Sequence, residues 1–238
     1  MTSPSAAPKL PSTEDSGKSS WRDSKWLVFL EFALVGLIFY ADHRKLIPFS
    51  KTPELLALAW ISLRVRGQRW REVGLVRYRS WPVTIGIGVV LEAALETFQL
   101  TVTQPLLAKL VGRQPDLGLF RMLTGNLKMT ALFIVLSWTL AAFGEEMFWR
   151  GYMLNRVADV LGRTRAGWAC SLVIVSAIFG FAHAYQGIAG WIEEGLAGFV
   201  LGLMYLRTRK SLWVPILAHG VSNTIDMVLM FFGKMPGM

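Results

Sequence analysis

Read by polarity, the chain is a succession of apolar runs separated by short polar or basic connections. The runs cover residues 26–40, 53–63, 82–100, 129–143, 167–184, 188–206 and 213–232. Most approach the roughly 20 residues that a helix needs to cross a hydrocarbon core about 30 Å thick. The pattern predicts an all-α, polytopic membrane helix bundle with about seven transmembrane helices. The second run falls below spanning length, so it either crosses or forms a re-entrant or tilted segment. Trp81 and Pro82 open the third run as an interfacial aromatic followed by a helix-starting proline. The pattern weakens over 101–128, where Pro105, Gly112, Pro115 and Gly118 predict an extramembrane loop with at most one short helix. In the fourth run the helical pattern continues past residue 143 and breaks only at Gly162.

Residues 1–20 hold Ser, Pro, Lys and acidic residues with almost nothing to bury, and predict a disordered tail. The chain is expected to divide into that tail, an N-terminal membrane region over 21–126, and a membrane core over 127–238. The first run is not a secretory signal: a long polar stretch precedes it, it contains Glu31, and no small-residue cleavage pattern follows.

Composition supports a membrane protein, with 53% hydrophobic residues, 10 Trp and 14 Phe among 238 positions. The net charge of +9 would suit nucleic acid, but the basic residues cluster in the connections, most densely at Arg64, Arg66, Arg69, Arg71, Arg77 and Arg79. That placement sets topology and implies no nucleic-acid partner; the intervening surfaces are built for lipid. With seven crossings the positive-inside rule puts the N-terminus in the cytoplasm, and if 53–63 does not cross, the C-terminal spans reverse. Compact basic loops favour a bacterial plasma membrane. The single Cys170 excludes an intramolecular disulfide and a cysteine metal site.

Against this apolar background three polar clusters stand out. Glu145, Glu146 and Arg150 follow the run at 132–143, His183 follows Phe179, and His219 precedes Asn223 by four residues. Ionisable groups at membrane depth are expensive and mark functional sites by default. Glu146 and Arg150 have the spacing and order of a helical ion pair. Glu145 points about 100° away from Glu146, which leaves it available as a general base. His219 and Asn223 share a helix face that Asp226 extends, and can offer two donors to an oxyanion or hold a water. Singly, each cluster has a plain structural explanation: an interfacial ion pair, a core histidine, a polar stripe for helix association. Together, burial in lipid favours their convergence. Glu145 as base, His183 as a second water-orienting group, and His219 with Asn223 as oxyanion donors suit attack of water on an amide.

These segments resemble the signature of the CAAX-protease and bacteriocin-processing family of intramembrane endopeptidases: Glu-Glu-x-x-x-Arg at Glu145, Glu146 and Arg150, Phe-x-x-x-His at Phe179 and His183, and His-x-x-x-Asn at His219 and Asn223. The resemblance spans about 127–232 and includes the glycine-rich sixth run. It implies hydrolysis of a peptide bond in a membrane-associated peptide or protein, with or without a prenyl or other lipid group. Cofactors stay open. Either a zinc ion sits on Glu145, His183 and His219, or the first Glu and first His activate water directly, the reading Asn223 favours because it is a poor zinc ligand. The rival functions are a transporter or proton relay, to which Glu92 and Glu96 lend substance, and a non-catalytic immunity or partner-binding scaffold. One conflict follows from run arithmetic. Glu145 falls near the cytoplasmic end of the fourth span and His183 toward the far end of the fifth, so they meet only if the fourth helix is buried well past Arg150 or the fifth starts late or tilts.

Overall fold

The computed structural model describes Trp21 and residues 24–238, so the tail expected over 1–20 lies outside the described residues. The described residues form a helical bundle without strands. Seven helices make its frame: α1 Lys25–His43, α2 Thr52–Val65, α3 Trp81–Val111, α4 Leu127–Leu161, α5 Arg165–Phe181, α6 Gly187–Arg207 and α7 Trp213–Phe231. Of these, α1, α3, α4, α6 (with the short 3-10 turn Ala184–Gln186 before it) and α7 are long and apolar enough to cross a membrane, while α5 is apolar but shorter. Large apolar side chains such as Leu30, Leu37, Val90 and Val135 stay exposed on these helices, as a lipid-facing surface requires.

Two of these helices depart from the sequence expectation. The third helix does not end at residue 100. It continues to Val111 through a π-helical turn at Gln99–Thr103, and the loop shrinks to about 112–126 around the 3-10 turn Gly118–Leu123. The physical reason is local: Pro105 sits at the start of the segment Gln104–Val111, directly after that turn. There the widened π turn takes up a residue that cannot supply the ordinary helical hydrogen bond. The fifth helix ends at Phe181, so His183 stands in the turn that follows rather than on the helix.

Buried polar links fix the N-terminal helices. Glu31 of α1, 4% exposed, accepts from Ser62 Oγ at 2.6 Å and from Arg66 Nη2 at 3.0 Å on each oxygen, tying α1 to α2. Glycines set the close approaches around the site. At Gly88 of α3 a Cβ would lie 2.9 Å from Leu217 Cβ of α7, and at Gly144 of α4 one would lie 2.6 Å from Thr52 Cγ2 at the start of α2. The main core gathers Phe148, Trp149 and Tyr152 of α4 with Phe179, Tyr205 and Leu212.

Candidate active site

Glu145, Glu146 and His183 stand at breaks from ideal α-helix, while His219 and Asn223 stand on the regular helix α7. α4 is π-helical over Ser137–Glu145 and again over Met147–Met153. Such wide turns recur at functional sites because they re-aim side chains within a continuous helix. Glu145 is half-buried, faces the bundle's internal cavity, and makes no hydrogen bond among the described residues. Glu146 turns the other way, into the core, and is 0% exposed.

Glu146 is the hub of a buried network. Its Oε1 accepts from Arg150 Nη1 at 2.6 Å and from His219 Nδ1 at 2.9 Å. Arg150 Nη2 donates to the Gly198 carbonyl of α6 at 2.9 Å, and its guanidinium lies 4.6 Å from the Phe179 ring centroid. A charge this deep is tolerable only when paired and hydrogen-bonded, and each of these contacts serves that need. Gly198 is required for it: a Cβ there would fall 2.7 Å from Phe179 Cδ1 and 3.3 Å from Arg150 Nη2.

Phe179 does a second job. Its backbone carbonyl lies 2.9 Å from His183 Nδ1. A carbonyl can only accept, so Nδ1 carries the proton and the other ring nitrogen, Nε2, keeps its lone pair. The Phe179 ring also packs against the imidazole in a tilted contact, with centroids 4.8 Å apart and the planes at 53°. His219 Nδ1 is taken by Glu146, which leaves Nε2 as the ring nitrogen not held by that bond.

Depth along the bundle is shared. By the roughly 1.5 Å rise per residue, Glu145 stands about 24 Å from the Leu161 end of α4, and His183 about 27 Å from the Arg165 start of α5. α7 begins inside the molecule, where Leu212 is 0% exposed and a Cβ on Gly151 would lie 3.0 Å from Leu212 Cδ1. His219, less than two turns into α7, therefore reaches the level of Glu146.

The cavity, about 410 Å³, is lined by Glu145, His183, His219 and Asn223 together. A second cavity of about 640 Å³ under the α1–α2 loop also reaches Glu145 and His183. Glu146 and Arg150 lie behind the wall. Sequence reasoning missed the Glu146–His219 bond, the Gly198 carbonyl as an Arg150 acceptor, and Phe179 as a platform. The glycines of α6 were the available signal. No three His, Cys, Asp or Glu residues among the described residues are grouped so that they could hold a metal ion.

In comparison with known proteins, residues 126–225 match the family described as Rce1-like, type II CAAX prenyl endopeptidase Rce1-like. No curated protein matches the chain, and no solved structure does. The matched segment holds all three polar clusters, and over residues 126–225 the chain is similar to the Rce1-like family of type II CAAX prenyl endopeptidases.

Proposed function

We propose that this protein is an intramembrane endopeptidase that hydrolyses a peptide bond of a membrane-associated peptide, with or without a lipid group, by directly activated water. One observation carries the reading: a carboxylate without a hydrogen-bond partner, two histidines each tethered through Nδ1, and a carboxamide line a single cavity inside an apolar bundle.

Glu145 takes a proton from water as the oxygen attacks the scissile carbonyl carbon, with the free Nε2 of His183 holding that water in place. The carbonyl oxygen becomes an oxyanion. It accepts from the Asn223 amide and from Nε2–H of His219, protonated on both nitrogens. Glu146 is a positioning residue: its carboxylate holds Nδ1–H of His219. The proton held by Glu145 then passes to the leaving nitrogen, the C–N bond breaks, and a carboxylate and an amine result.

The test uses detergent-purified protein reconstituted with a membrane-tethered fluorogenic peptide. Glu145→Gln should lower kcat about 10²–10⁴-fold, with thermal stability unchanged because Glu145 has no hydrogen bond to lose. Undiminished cleavage by the variant would remove Glu145 from the chemistry.

A further inference from the structure

The mechanism leaves one end of the cavity without a task. Glu92, Glu96 and Gln104 of α3, Glu193 and Glu194 of α6, and Asp226 of α7 all line it. No lysine or arginine among the described residues does. Carboxyl groups gathered in a poorly solvated space repel one another when ionised, and a positive charge placed among them relieves that repulsion.

Of the four buried unpartnered side-chain atoms that line the cavity among the described residues, one is the Ser137 hydroxyl and the other three are acceptors. Gln104 is 7% exposed, its side chain makes no hydrogen bond among the described residues, and its Oε1 is buried without a partner. Glu193 is 6% exposed. Its Oε1 accepts from Gln99 Nε2 at 3.0 Å and Thr103 Oγ1 at 2.7 Å, while its Oε2 is buried and accepts nothing. Asp226 Oδ1 is likewise buried and unpartnered. These three orphans come from three helices, and all are acceptors. Their complement is a group rich in N–H donors and positively charged: an ammonium brings three donors, a guanidinium five. A metal ion is a poorer complement, since no three acidic or histidine side chains among the described residues are grouped to coordinate one.

The acidic end adjoins the reaction centre. Asp226 follows Asn223 by one helical turn on the same stripe of α7, about 4.5 Å further along the axis. An extended peptide advances about 3.3 Å per residue. We infer that this end of the cavity is the subsite for a lysine or arginine side chain of the peptide substrate, within about two residues of the scissile bond. The inference rests on the endopeptidase reading above.

The experiment compares liposome-tethered peptides that differ at one position, scanned over the two residues on each side of the cleaved bond: Lys, Arg, norleucine, citrulline or Glu. Lys and Arg at one position should raise kcat/KM about 10- to 100-fold over norleucine and citrulline, the size of a lost charge-assisted hydrogen bond, mainly through KM. Glu193→Gln and Asp226→Asn should shrink that preference to a few-fold, mainly by raising KM for the Lys and Arg peptides. The comparison among peptides on the unaltered protein stands even where a variant fails to fold. Equal cleavage of Lys and norleucine peptides would overturn the subsite and leave the endopeptidase standing. Citrulline as good as arginine would overturn it too, because a neutral donor would then suffice. Failure of the unaltered protein to cleave any peptide would overturn the endopeptidase reading, and the subsite with it.

Discussion

The buried Glu146–Arg150 pair permits a thermodynamic test of the site's architecture that does not depend on knowing the substrate. Arg150 is 2% exposed and Glu146 0%, and the pair is joined at 2.6 Å. Arg150→Met keeps the length and removes the charge. Glu146 then retains only His219, and the Gly198 carbonyl loses its donor. Removing one partner of a buried pair costs about 3–5 kcal/mol, because the other charge is left uncompensated. At about 2–4 °C per kcal/mol for a chain of this size, the unfolding midpoint should fall on the order of 10 °C. Glu146→Gln alone strands Arg150 in the same way, though its amide oxygen can still accept from Arg150. The double variant strands neither charge, so its loss should be smaller than the sum of the single losses by about 1–3 kcal/mol. The assay is thermal unfolding of detergent-purified single and double variants, followed by intrinsic tryptophan fluorescence. Single losses each below about 1 kcal/mol that simply add would refute the reasoning. The pair would then be hydrated and peripheral instead of the hub that holds α4, α6 and α7 together.

Three further outcomes follow from the same geometry. Asn223→Ala should lower kcat about 10²–10³-fold with little change in KM, since an oxyanion donor acts only as charge develops; an effect on KM alone would make Asn223 a binding residue. Gly198→Ala drives a Cβ to 2.7 Å from Phe179 Cδ1, which should cost about 1–3 kcal/mol in thermal stability and slow cleavage through the carbonyl that orients His183, so a fully active and stable variant would contradict the packing. Elemental analysis of active protein should find zinc well below one equivalent, and stoichiometric zinc that disappears in His183→Ala would replace directly activated water with a metal-bound one.

Much of the frame is legible in the order of residues because membrane helices are long and locally determined. α6 and α7 begin and end within about a residue of the apolar runs that predict them, since Gly187, the basic connection at 207–210 and Trp213 are local punctuation. The extension of α3 was not legible. Pro105 is a breaker by every local rule, and only the π turn at Gln99–Thr103 lets the helix continue past it. The turn after Phe181 was hidden for the opposite reason: the apolar run carries on to Ala184, while the chain has already left the helix and His183 hydrogen-bonds back to Phe179. Contacts such as Glu146–His219, 73 residues apart, have no periodic signature at all.

The depth conflict between Glu145 and His183 shows where counting along one run fails. Hydrophobicity ends the fourth run at residue 143, so Glu145 looked terminal. Yet every residue from Met147 to Met153 is buried, including Arg150, because those positions face protein instead of lipid. Burial among other helices, unlike burial in lipid, admits charge when a partner is supplied, and Glu146, Gly198 and Phe179 supply it to Arg150. The helix therefore runs on to Leu161, packed against other helices over most of that length. The turn at Gly162 then becomes the common origin from which α4 and α5 are measured, and Glu145 and His183 lie nearly the same distance from it. The Glu-x-x-x-Arg spacing thus does more than close a helix end: by neutralising the charge of Arg150 inside the bundle it sets how far in Glu145 stands.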